Sequence, residues 1–365
     1  MSIRRPSIRS AHRSWIRRML LLLLLFVGYP FGDTASTRET VSFEFVAAIE
    51  HERTIADVAL VGSTLALADQ TRVVRLFDVS SPAHPEAIGT VTTDVPVSHL
   101  ATDGSSRLIT AGHGESASNS EMLSVCEIVD LSAGGDLVAY RIHELYAPPR
   151  DVVWKGDRAL VALGEEGVAV LGFDGSGQLS ATGRVDLSGP AEYVALDGRD
   201  AFVAEGGTGS SSVWIFDVAD ATSPSERGNF DSEVRVRHMT AVDGWLAMGT
   251  EGAGISFADV SDPAGVERPT SGGGTVTATS LDADDGYVYS TWGARGGLRV
   301  YDTVLGSGIT GAVFVEDLAN AGRVVVSGAI IAVVDRNDLV RIARRVTQVT
   351  PGSTPTSPSK GGGCS

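Results

Sequence analysis

The sequence contains few of the residue patterns that usually announce an activity. Its 365 residues hold two cysteines, Cys126 and Cys364, and no CxxC pair. A disulfide framework and a paired-cysteine metal or redox site are therefore excluded, and cysteine usage does not decide the compartment. There is no Gly-x-Ser-x-Gly elbow, no P-loop and no dinucleotide-binding glycine fingerprint. Between Val41 and Val349 no stretch keeps a 3.6-residue apolar period, which argues against long helices. No apolar run is long enough to cross about 30 Å of hydrocarbon as a helix. Basic residues are scarce once the first 36 residues are set aside. That segment holds six arginines and one acid, and the remainder carries 23 basic against 44 acidic residues, a net charge of −21. Such a surface repels nucleic acid and anionic lipid, so no nucleic-acid partner is expected.

The hydrophobic content, 43%, is that of a globular protein, and 43 glycines are scattered at turns. The N-terminus combines a basic flank with an apolar core from Met19 to Val27, followed by small residues around Thr34-Ala35-Ser36. It reads as a secretory signal over residues 1–36 and implies an extracytoplasmic protein: secreted, periplasmic or at the cell surface. An uncleaved anchor is the alternative. Arg17-Arg18 raises the twin-arginine route, but the leucine-rich core favours the general one. Residues 350–365, TPGSTPTSPSKGGGCS, read as an extended tail, with Cys364 as a candidate attachment point. Cys126, inside the apolar run LSVCEIVD, reads as a small buried residue.

What the chain has in abundance is a repeat. The motifs VVRLFD, CEIVD, VLGFD, VWIFD, ISFAD and LRVYD end at Asp78, Asp130, Asp174, Asp217, Asp259 and Asp302, and VRIAR puts Arg344 in the seventh slot. The spacings are 52, 44, 43, 42, 43 and 42 residues. A period near 43 marks a repeat architecture. Each copy is preceded by a turn glycine and a short apolar strand, taken in the seventh unit as AGRVVVSG. Four short strands per unit suit a propeller blade. Runs such as VWIF are apolar at successive positions, as in a sheet covered on both faces. A solenoid also stacks its repeats. The ends favour a ring: the seventh unit lacks an outer strand, and VSFEFVAAIE (Val41–Glu50) resembles one. The fold expected is therefore all-β, a seven-bladed propeller over 41–349 with four-stranded blades, the N-terminal strand completing the last blade and removing the open edge.

The segments RVVRLFDVSSPAHP, SVWIFDVADATSP and GISFADVSDPAGV resemble the LVIVD-repeat proteins, a family of bacterial, largely extracytoplasmic propellers. The resemblance covers nearly all of 41–349 and is weakest in the last unit. It implies fold and location more than activity. The recurrent Gly-His and Trp-Asp pairs of WD repeats and the sialidase-type Asp box are absent.

The six motif aspartates read as turn-fixing acceptors, not as a metal ring, because each precedes a turn and they lie on different blades. LDADDG (Leu281–Gly286) resembles part of a calcium loop but lacks its later glutamate, and reads as a solvated turn. The candidate site is the mouth of the axial channel. The two positions before each turn glycine that should lie near the channel mouth read Ala56/Asp57, Ser98/His99, Arg150/Asp151, Glu192/Tyr193, His238/Met239, Thr279/Ser280 (with a one-residue shift in the sixth blade) and Glu316/Asp317. Convergent polar groups at a concave mouth are a default binding site. The candidate binding residues are Asp57, His99, Arg150, Asp151, Glu192, His238, Glu316 and Asp317. The bland alternative is a wet, polar rim. His99 and His238 with Asp151 or Glu192 could take a metal or move protons. No cofactor, catalytic residue or metal ligand is assigned, and a monomer is expected. The polar insertion HGESASNSE (His113–Glu121), which accounts for the spacing of 52, is either a recognition loop or disordered. The function expected is a binding module for a protein, glycan or envelope component. A metal-dependent hydrolase or lyase with its site at the channel mouth is the alternative, and a purely structural surface protein is the third reading.

Overall fold

The computed structural model describes residues 38–350, except 208, 294–296, 304–312, 316–317, 319–320 and 336–338. Residues 1–36, expected to be a secretory signal, the tail with Cys364, and Glu316 and Asp317 lie outside the described residues.

Among the described residues, twenty-nine strands form seven sheets. Strand β1 is Arg38–Glu50. Blade 1 holds β2 (Asp57–Val61), β3 (Thr64–Ala68), β4 (Val73–Asp78) and β5 (Glu86–Thr92). Blade 2 holds β6 (Val97–Thr102), β7 (Arg107–Glu115), β8 (Met122–Asp130) and β10 (Tyr140–Glu144); the short β9 between them (Leu137–Val138) joins the outer edge of blade 1, parallel to β5. Blade 3 runs through β11 (Asp151–Lys155), β12 (Arg158–Ala162), β13 (Val168–Phe173) and β14 (Leu179–Val185). Blade 4 runs through β15 (Ala191–Asp197), β16 (Asp200–Glu205), β17 (Ser212–Asp217) and β18 (Ser225–Asp231). Blade 5 has β19 (Val236–Val242), β20 (Trp245–Thr250), β21 (Gly254–Asp259) and the two-residue β22 (Thr270–Ser271). Blade 6 has β23 (Ser280–Asp284), β24 (Tyr287–Thr291), β25 (Leu298–Asp302) and β26 (Val313–Val315). Blade 7 has β27 (Ala321–Ser327), β28 (Ile330–Asp335) and β29 (Leu339–Thr350), and β1 is its outer strand.

The ring is closed as the repeat requires. β1 pairs antiparallel with β29 from Arg38↔Thr350 to Glu50↔Leu339. The seventh slot can hold Arg344 because β29 does not end there. Arg344 faces Glu44 across the pair, with Nη2 and Oε2 3.3 Å apart, whereas the aspartates of the other blades end their strands at turns. Asp78, Asp130, Asp174, Asp217 and Asp259 each accept from the backbone N–H two residues on, at 2.8 to 3.0 Å. This local hydrogen bond holds the chain in the turn.

Seven apolar clusters fill the seven spaces between consecutive blades. Middle strands are consequently covered on both faces, and all six residues of β13 are buried. Cys126 lies fully buried between blades 2 and 3, and burial pushes its thiol up to about 12.

One assignment is corrected. AGRVVVS is the inner strand of blade 7, not its second strand. The turn between inner and second strands uses a glycine with positive φ in every blade: Gly62, Gly104, Gly156, Gly198, Gly244, Gly286 and Gly328. Gly328 follows Gly286 by 42 residues, whereas Gly322 follows it by 36 and lies within β27. A glycine before an apolar run imitates the turn pattern, but only the residue that must adopt φ > 0 marks the turn.

Candidate functional site

Inner strands of a closed ring flank one another without a shared backbone ladder. Their axial N–H groups therefore need other acceptors. The sequence supplies them from side chains, each reaching the next blade in the same rotational sense. Asp57 accepts the Val58 N–H on Oδ1 and the Leu100 N–H of blade 2 on Oδ2, both at 2.9 Å. Asp151 does the same with Val152 and with Val194 of blade 4, both at 3.0 Å. Asp197 accepts from Gly244 of blade 5 at 3.4 Å. His238 Nδ1 accepts from Leu281 of blade 6 at 3.3 Å. Ser280, Asp282 and Asp284 accept from Val324, Val326 and Gly328 of blade 7 at 3.3, 2.7 and 2.5 Å. His99 bonds the Arg150 carbonyl of blade 3, and Arg323 Nε stands 3.4 Å from Asp57 Oδ1. Every one of the seven blade junctions is thus spanned by at least one side chain.

The ring at the channel mouth is formed by Asp57, His99, Asp151, Tyr193, His238, Ser280 and Arg323, one residue per blade. The structure brings together Asp57, His99, Asp151 and His238 of the expected set. Arg150 precedes β11 and is exposed, and Glu192 points beside the ring, with its Cγ close to Gly206. The blade 7 position is occupied by Arg323, which the misplaced inner strand hid. LDADDG is likewise not simply a solvated turn: its first four residues lie in β23, and Asp282 and Asp284 serve the next blade.

Burial controls the protonation of these groups. It pushes Asp151 up to about 7 against the pull of the Val194 N–H and Arg323, and pushes Asp282 up to about 7 against the Val326 and Ala283 N–H groups. It pushes His238 down to about 3, with Arg323 and His99 adding to the effect. His99 is lowered by burial, which outweighs the pull of Asp57. Asp57 holds Arg323 firmly charged. The ring opens on an axial cavity of about 220 Å³ lined by Asp57, Asp151, His238, Ser280, Asp282 and Arg323. A second cavity of about 220 Å³, beside Asp103, Lys155 and Asp282, continues toward the opposite face. Among the described residues no three His, Cys, Asp or Glu side chains converge as a metal-ligand set.

The mouth face carries a second feature. The inner strand of each blade starts at this face and the second strand returns to it, so hairpins between second and third strands also stand here. In blade 2 that hairpin is long: β7 and β8 stay paired out to Glu115↔Met122. The insertion expected to be a loop is therefore an ordered hairpin whose turn is tied down by Ser116 to Asp94 and by Asn119 to Glu121. The pairing of β10 with β8 continues through the Leu145 N–H to the Ser124 carbonyl, 2.7 Å, which brings Tyr146 alongside the start of β8. Met122 and Tyr146, both at the mouth end of blade 2, are 65% and 69% exposed. The Arg184 guanidinium lies 5.6 Å from the Tyr146 ring centre.

No family model matches the chain, and no curated protein matches it. Among solved structures, the computationally designed Ika8 protein is similar over 80% of this chain and 84% of its own, at 12% identity and a TM-score of 0.55. The WD40 β-propeller domain of Doa1 is similar over 83% of this chain and 97% of its own, at 14% identity and a TM-score of 0.60. At such identities the likeness carries architecture alone: the chain is a seven-bladed β-propeller.

Proposed function

We propose that this propeller is an extracytoplasmic binding module of LVIVD-repeat type. It recognises a protein, glycan or envelope component with the face that carries the channel mouth. The observation that carries the reading is the long β7–β8 hairpin, which holds Met122 in solvent on a rigid scaffold, with Tyr146 exposed at the same end of the blade. Exposed aromatic and methionine side chains on a rigid element are common anchors of interfaces, since they bury much area for little lost entropy. The basic-then-apolar segment before Gly28 supports export. The ring histidines and aspartates are engaged in joining blades, which favours binding by the face over chemistry at the ring.

The test is retention of envelope proteins and glycans by the immobilised full chain, comparing the native protein with a Met122→Ser/Tyr146→Ala variant. Both positions are exposed, so the variant should melt within about 0.5 kcal/mol of the parent. A retained component that the variant loses supports the reading. Equal retention by both, or by neither, sinks it.

A further inference from the structure

Two hydrogen-bond donors face each other in the channel mouth with no acceptor between them. Leu281 N–H donates to His238 Nδ1 at 3.3 Å, so that nitrogen is an acceptor and carries no proton. Burial keeps the ring neutral, and a neutral imidazole bears one N–H. The proton therefore resides on Nε2. That atom faces Arg323 Nη1 at 3.5 Å, and a guanidinium only donates. Arg323 also stands against Asp57 Oδ1, with Nε at 3.4 Å, and is attracted by the more distant Asp151. Asp57 Oδ1 already accepts the Val58 N–H, and Oδ2 accepts the Leu100 N–H. Asp57 balances the charge of Arg323 but leaves most of its planar fork of donors directed elsewhere. Those donors and the His238 Nε2–H border the same cavity of about 220 Å³, which Ser280 and the carboxyl groups of Asp57, Asp151 and Asp282 also line, the last two pushed up to about 7 by burial. At about 30 Å³ per water, the cavity has room for a small ion with part of its hydration.

We propose that the channel mouth binds a small oxyanion, a carboxylate or phosphate group, held between the Arg323 guanidinium and the His238 Nε2–H. An oxyanion supplies what the pair lacks, an acceptor with lone pairs in two directions, and a guanidinium recognises it in a forked geometry. The inference is separate from the surface-binding reading. A failed retention experiment leaves it standing, and a failed titration leaves the surface-binding reading untouched.

The test titrates the full chain with sodium phosphate and with sodium acetate at constant ionic strength in a chloride-containing amine buffer. It follows the melting temperature and the imidazole nitrogen chemical shifts of His238. The free protein should show the Nε2–H tautomer. Added oxyanion should shift the His238 signals saturably and raise the melting temperature with the logarithm of its concentration, while chloride should not. Response to phosphate alone, acetate alone or both identifies the group that the site accepts. Arg323→Lys keeps the charge but not the fork and should weaken the response several-fold. Should that variant fail to fold, the tautomer and titration of the native protein decide the matter. A proton on Nδ1 would make Nε2 the acceptor for Arg323 and overturn the proposal, as would the absence of a saturable shift with either anion.

Discussion

Asp57 is the ring residue whose loss should cost most, because it serves two blade junctions at once. In Asp57→Ala the N–H groups of Val58 and Leu100 lose their acceptor, and Arg323 loses its counter-charge. A buried donor left unsatisfied costs roughly 1–3 kcal/mol. Breaking a buried ion pair from one side costs roughly 3–5 kcal/mol. The sum is discounted, because the Arg323 side chain is 29% exposed to the channel and its contact with Asp57 is long at 3.4 Å. The expected loss is roughly 3–5 kcal/mol in all. Asp57→Asn keeps one oxygen for one of the two N–H groups and should lose about half as much. The assay is urea unfolding followed by tryptophan fluorescence and circular dichroism, with the slope checked for constancy. Amide exchange at Leu100 should accelerate in the Ala variant, since that N–H loses its only side-chain acceptor. A loss below about 1 kcal/mol, or an unchanged Leu100 exchange rate, would refute the view that these side chains hold the blades together.

Asp151 binds a proton in the folded state up to about 7, against an ordinary value of 3.8. Its contribution to stability is fully present below 3.8 and is lost as pH rises through about 7. The melting temperature gap between the native protein and Asp151→Asn should therefore narrow across that window, and a constant gap would contradict the assignment. His238 acts in the opposite sense. Its folded value of about 3 lies below the ordinary 6.5, so it withdraws stability as pH falls below 6.5, and His238→Gln should flatten the acid limb of the melting curve. Cys126 should resist a thiol reagent in the folded Cys364→Ser protein and react once urea is added, because it is fully buried and its thiol is pushed up to about 12. A chain beginning at His51 lacks β1 and exposes the β29 edge, so size-exclusion chromatography should show association in place of a compact monomer.

Much of this architecture was legible in the sequence because the forces behind it are local and repeat with the chain. An aspartate that ends a strand, an apolar run covered on both sides and a glycine at φ > 0 each act within a few residues. Each therefore recurs at the 43-residue period, and the missing outer strand of the seventh unit pointed to the place where the ring closes. Asp57, His99, Asp151 and His238 were found in the same way, by their distance from a turn. The partnerships of these residues were not legible. Asp57 meets Leu100, and Asp151 meets Val194, only because neighbouring blades set equivalent strands side by side. Arg323 reaches His238 across 85 residues of chain, and Tyr146 comes to the same end of blade 2 as Met122 because β10 lies against an elongated β8. Local hydrogen bonding and strand patterning determined that the chain would form seven blades. Only closure of the ring decided which side chains share the axis, because that neighbourhood is created by packing blade against blade and has no counterpart in spacing along the chain.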